Sequence, residues 1–141
     1  MILLQTIICA MDTNIKFEMR DNYLYIKGHG VRNSLSEMME GALNLASKAQ
    51  ELKVYFLLID YREMQYNVSH IDAFNVLRLY EQQAYLFKDL TVSVITNEHD
   101  IEMGKFFESL TRQRDFNYKV FLNEKEAEDW LHTEIKAKKR A

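Results

Sequence analysis

Proline does not occur in the 141 residues, glycine appears four times and cysteine once. Without Pro- or Gly-rich stretches, low-complexity runs or a repeat, the chain reads as one domain, and its length suffices for a sizeable core. Cys9 alone allows no disulfide within the chain and no cysteine-based zinc site, which suits a reducing, cytoplasmic setting. It lies in an apolar stretch with no neighbouring base, so it reads as a buried, inert thiol. No run approaches the ~20 apolar residues of a membrane span, so stable membrane insertion is not expected. Met1 to Ala10 also lacks the positive charge that precedes the apolar core of a secretory leader. Residues 1–14 therefore read as an added edge strand or as an extension upstream of a start at Met11. Excess positive charge is missing as well. The net charge is -3, with no basic stripe of the kind that binds nucleic acid. Lys136, Lys138, Lys139 and Arg140 read as a short solvated tail, 136–141, after the last helix.

What is present is a regular alternation of strand and helix signals across 15–135. Ile15 to Arg20 alternates apolar and polar residues, Asp21-Asn22 offers a turn, and Tyr23 to Lys27 alternates again until Gly28-His29-Gly30 ends it. This predicts an N-terminal β-hairpin. Ser34, with Glu37 three residues on, has capping-box spacing ahead of an amphipathic helix over Leu35 to Leu52. Val54 to Ile59 is a continuous apolar run of the kind buried on both faces in parallel sheets. A turn over Tyr61 to Val68 and a cap at Ser69 then introduce a second helix, running to about Phe87, with Ile71, Phe74, Leu77 and Tyr80 inward. Leu90 to Thr96 reads as a strand, Asp100 as the cap of a third helix over Ile101 to Arg114, and Tyr118 to Leu122 as the last strand. Asn123 and Glu126 repeat the cap signature before a helix whose inner face carries Ala127, Trp130, Leu131 and Ile135. The order β-β-α-β-α-β-α-β-α predicts an α/β domain with a mostly parallel central sheet and helices packed on it.

Three stretches resemble the STAS-type fold of anti-sigma-factor antagonists, and more closely the small SpoIIAA-like proteins of unassigned function. They are Leu57-Leu58-Ile59-Asp60 with Tyr61 to Met64, Val92 to Thr96, and the closing Val120 to Leu131. The resemblance implies a single STAS-like domain that acts as a non-enzymatic binding or regulatory module. In anti-sigma-factor antagonists a serine at the start of the helix after the third strand is phosphorylated, within an Asp-Ser-Ser-Gly-like run. This chain has Val68-Ser69-His70-Ile71 there, with His70 at the position resembling the modified serine, which departs from that switch. The STAS-like fold is also similar to CRAL-TRIO lipid-binding domains, so a small-molecule or lipid carrier is the alternative. An enzyme using His70 and Asp60 is the third reading.

Loops that follow parallel strands share one edge of the sheet, where ligands usually bind. That edge is expected to gather His29, Asp60, Tyr61, Arg62, Ser69, His70, Asn97 and His99 as a partner or ligand rim. Histidines beside carboxylates suit metal binding or proton transfer. However, His-x-x-x-His spacing and a Gly-rich phosphate loop are both missing, so no metal, cofactor or catalytic residue is assigned. Asp60 and Glu63 read as loop carboxylates, with Asp60 binding backbone amides at a strand end. Ser69 reads as a helix cap first, because a hydroxyl there satisfies a free N–H. The aromatics Tyr61, Tyr66, Phe74, Tyr80, Tyr85 and Phe87 are expected mostly in the core, with any surplus forming a partner patch or the wall of an apolar pocket. Gly104 is expected to allow close helix packing. An open edge strand permits a homodimer by strand addition.

Overall fold

The computed structural model describes residues 14–140. The expected extension over 1–14, except Asn14, the buried state of Cys9 and the choice between Met1 and Met11 lie outside those residues. Ten elements follow in order: β1 (Ile15–Met19), β2 (Leu24–Arg32), α1 (Leu35–Leu52), β3 (Phe56–Tyr66), α2 (His70–Gln82), α3 (Ala84–Phe87), β4 (Thr91–Ile95), α4 (Ile101–Arg112), β5 (Asn117–Phe121) and α5 (Glu124–Arg140). The five strands form one sheet in the order β1-β2-β3-β4-β5. β1 runs antiparallel to β2, as the predicted hairpin requires. All other pairs are parallel, and β3 meets β4 with Phe56 opposite Thr91 and Asp60 opposite Ile95.

Side-chain alternation in β3 separates two cores. Leu57, Ile59 and Tyr61 face one side with Ala46, Ala49, Ala73, Val76 and Phe107 from α1, α2 and α4. Leu58 faces the other side, where Tyr23, Ile95, Ala127, Leu131 and Ile135 meet beneath α5 alone. Three helices thus cover one face of the sheet and a single helix covers the other. Both apolar strands are buried from both directions, which accounts for their continuous hydrophobicity.

The helix starts follow their caps. Ser34 Oγ accepts from the Glu37 N–H at 3.2 Å, and Asn123 Oδ1 accepts from the Glu126 N–H at 3.0 Å. α1 ends at Lys53, which takes a left-handed conformation (φ 57°) more usual for glycine and donates its N–H back to Ala49 and Gln50 carbonyls. Gly104 sits close against β5. A Cβ there would lie 3.0 Å from Val120 Cγ1, so the expected close packing is present.

Five expectations need correction. β3 does not end at Ile59; it runs on through Asp60 to Tyr66, so the predicted turn over Tyr61 to Val68 is mostly strand. β2 likewise continues through Gly28-His29-Gly30 to Arg32. An extra residue in β3 lies between the pairs Lys27–Asp60 and His29–Glu63, forming a bulge opposite Gly28. The Tyr61 ring lies over Gly28, where a Cβ would come within 2.7 Å of it, so glycine serves close packing rather than strand ending. In α2 the inner face is Ala73, Val76, Leu77 and Leu79; Ile71 is 71% and Phe74 48% exposed. The helix also breaks at Gln83 instead of continuing to Phe87. Finally, Lys136 to Arg140 are the last turns of α5 rather than a tail beyond it. Their positive charge favours that end of the helix dipole.

Candidate functional site

The expected rim divides, because several of its members are strand residues that alternate between faces. Asp60 points toward α5. It is 2% exposed, and its carboxylate accepts from Tyr25 Oη (3.1 Å), Arg62 Nε (2.9 Å), Arg62 Nη2 (2.7 Å) and the Arg62 N–H (3.2 Å). Arg62 Nη2 also reaches Glu124 Oε1 at 3.0 Å, at the start of α5. The guanidinium of Arg20 stacks over the Tyr25 ring, 3.8 Å from its centroid. Burial would by itself push the Asp60 carboxyl up, but the bonds from Arg62 and Tyr25 outweigh it and hold the group below its ordinary value. Burial, reinforced by the neighbouring Asp60 charge, pushes the Tyr25 hydroxyl up to about 12. With both its oxygens engaged, Asp60 forms a structural ion pair here.

Asn97 and Asp100 do different work. β3 outruns β4 by six residues, from Tyr61 onward without a strand partner on that side. The loop after β4 supplies the missing hydrogen bonds through side chains. Asn97 Nδ2 donates to the Arg62 and Met64 carbonyls (3.0 and 2.7 Å), and Asp100 accepts from the Tyr66 N–H at 3.2 Å. Asn97 Oδ1 in turn accepts from the Asp100 N–H, and His99 Nδ1 lies 2.8 Å from Asp100 Oδ1. Asp100 stands at the start of α4, yet its carboxylate serves β3 rather than capping the helix. Asn97 and His99 are thus joined to β3 as a clamp on its free edge.

The remaining rim residues stand apart. His29 is a β2 residue paired with Glu63. His70 opens α2 with its ring 4.5 Å from that of Phe106. Among the described residues no three His, Cys, Asp or Glu side chains gather closely enough to hold a metal ion. Ser69 caps α2 in a complete capping box: its Oγ accepts from the Asp72 N–H at 3.2 Å, and Asp72 Oδ2 accepts from the Ser69 N–H at 3.0 Å. Ser69→Ala is expected to cost about 1 kcal/mol in chemical denaturation. Ser69→Asp is expected to stay within a few tenths of wild type, because aspartate caps as well as serine. A Ser69→Ala loss below the error of the measurement would remove the capping role.

Two further features involve the surplus aromatics, and the second brings in Arg32, which the sequence did not mark for a site. The first is an exposed apolar patch on the outer side of α2 and α4: Ile71, Phe74 and His70 beside Phe106, with the Phe74 and Phe106 rings 5.7 Å apart. The second is a cavity of about 130 Å³ between the sheet and α1, α2 and α4, toward the carboxyl ends of the strands. Tyr61, Tyr66, Tyr80 and Tyr118 contribute to its wall together with small residues such as Gly41, Ala73 and Gly104. Burial pushes the hydroxyls of Tyr66 and Tyr118 well up, with neighbouring tyrosines adding to the effect. The expected pocket wall of aromatics is therefore present, with Tyr61 turned into it while Asp60 and Arg62 face the other way. No helix among the described residues is long and apolar enough to cross a membrane.

No protein-family model matches the chain, and no curated protein matches it. Among solved structures it is similar to an uncharacterised protein of the DUF3478 family with a SpoIIAA-like fold from Shewanella loihica PV-4. That likeness has a TM-score of 0.50 at 23% identity, covering 83% of this chain and 91% of the other. It is also similar to an anti-sigma factor antagonist from Mycobacterium paratuberculosis, with a TM-score of 0.56 at 10% identity, over 84% of this chain and 92% of that one. Both likenesses are of architecture, and the fold is SpoIIAA-like, as the three sequence stretches implied.

Proposed function

We propose that this chain is a non-enzymatic, cytoplasmic binding module that recognises a protein partner through the start of α2 and the adjoining side of α4. The observation that carries this reading is the outward-facing pair Ile71 and Phe74, 71% and 48% exposed, next to Phe106 and His70. Large apolar side chains in one patch cost solubility unless a partner covers them. Aromatic side chains on a rigid helix are the residue types that anchor protein interfaces. The similarity in fold to an anti-sigma factor antagonist supports a regulatory role for such a module. Ser69 stays with its capping box in this reading, and recognition rests on the apolar surface rather than on a phosphorylated serine.

The test uses the whole chain as bait in native lysate, beside Ile71→Ser/Phe74→Ser. Both altered side chains are exposed, so the double variant is expected to keep wild-type circular dichroism and melting temperature. Proteins retained by the wild type should be lost at least tenfold in the variant. Equal recovery of the same proteins by both baits would sink the reading, and so would a wild type that retains none.

A further inference from the structure

We infer that the cavity beneath α1, α2 and α4 is a binding site for a small monocarboxylate with a flat or compact apolar body, held by Arg32. This inference is independent of the partner reading. Two observations carry it.

The first is an unpartnered guanidinium nitrogen on a half-buried arginine. Arg32, at the end of β2, borders the cavity, and its Nη2 is the buried side-chain nitrogen without a hydrogen-bond partner among the described residues. A guanidinium keeps its charge in proteins, and a buried cationic donor without an acceptor is costly. Gly41 on α1 makes room for it, since a Cβ there would stand 3.2 Å from Nη2. Asp100 also borders the cavity, but its oxygens are taken by the Tyr66 N–H and by His99. A ligand carboxylate supplies what Arg32 lacks, because the planar guanidinium fork matches carboxylate geometry.

The second observation is the size and lining. An engineered apolar cavity of about 150 Å³ holds a benzene molecule. At about 130 Å³, this one suits a single ring or a short branched body, with the carboxylate at its border against Arg32. Sites for drug-sized molecules begin near 300 Å³, so this cavity suits a smaller ligand. Ile59, Val76, Val94 and Phe107 supply apolar walls for the body.

The probe is benzoate, with benzamide as its uncharged counterpart of the same shape, titrated into the full chain and followed by calorimetry and by amide NMR. Benzoate is expected to bind in the micromolar to millimolar range, at least tenfold tighter than benzamide, and to shift resonances of Ala73, Val76 and Met103. Arg32→Met should remove that tenfold preference. Ala73→Leu fills the cavity while leaving Arg32 in place, and should abolish binding of both probes. This second variant keeps the test open if Arg32→Met does not fold. Absence of saturable benzoate binding to the wild type overturns the inference. So does equal affinity for the two probes, or benzoate binding that survives Ala73→Leu.

Discussion

Leu131→Ala is expected to destabilise the protein by about 3 kcal/mol, the usual cost of emptying a leucine site in a rigid core. Leu131 is fully buried, and it stands in the middle of the small cluster that joins α5 to the sheet. The opposite face has three helices to share a loss; this face has one. Polar and ring contacts add to this packing, Arg62 with Glu124 and Tyr23 with His132 among them. Buried Ser93 Oγ donates to the Ala127 carbonyl at 3.0 Å, and Asn117 Nδ2 donates to Glu134 at 2.7 Å. Chemical denaturation gives the number, with Leu122→Ala as the control. Leu122 is 42% exposed, and its replacement should change stability by less than about 0.5 kcal/mol. Equal values for the two variants would contradict the packing of α5.

Asp60→Asn should cost about 2 kcal/mol at neutral pH. Complete removal of one partner from a buried ion pair costs more, about 3–5 kcal/mol. Here the Arg62 side chain is 45% exposed, so solvent screens it once its partner is gone. The asparagine keeps the shape and an acceptor for Tyr25, but it turns an amide toward the guanidinium. The pH dependence follows from the lowered acidity of Asp60. A carboxyl held below its unfolded value stabilises the fold fully above about pH 4. That contribution disappears as pH falls through the still lower folded value, where both states are protonated. The stability difference between wild type and Asp60→Asn should therefore be constant from pH 7 to about 5 and shrink in acid. A difference that grows on acidification would reverse the assigned direction.

The apolar runs and the caps made most of the architecture readable from the chain. Val54 to Ile59 and Leu90 to Thr96 have no polar interruption long enough to be wet, and β3 and β4 lie side by side from Phe56 and Thr91 onward. The bounds of α1, Leu35–Leu52, agree with those read from its periodicity and cap. The far half of β3 was not readable, because its partners are not local. Arg62, Met64 and Tyr66 find their hydrogen bonds in Asn97 and Asp100, more than thirty residues away. The bulge also breaks the two-residue alternation that would have marked a strand. In α2, hydrophobicity pointed to Ile71 and Phe74, whereas the smaller stripe Ala73, Val76 and Leu77 sits against the core. Periodicity marks a face, and here two faces competed. Arg32 offered no local signal at all. The burial of its Nη2 depends on a glycine nine positions later in α1 and on the distant elements around the same cavity.

The covering of one sheet face by α5 alone also orders events during synthesis. Leu58 and Ile95 are made well before Glu124 emerges from the ribosome, so a nascent chain holding β1 to β5 presents them bare to its surroundings. The finished chain hides that surface only when its closing helix swings onto the sheet.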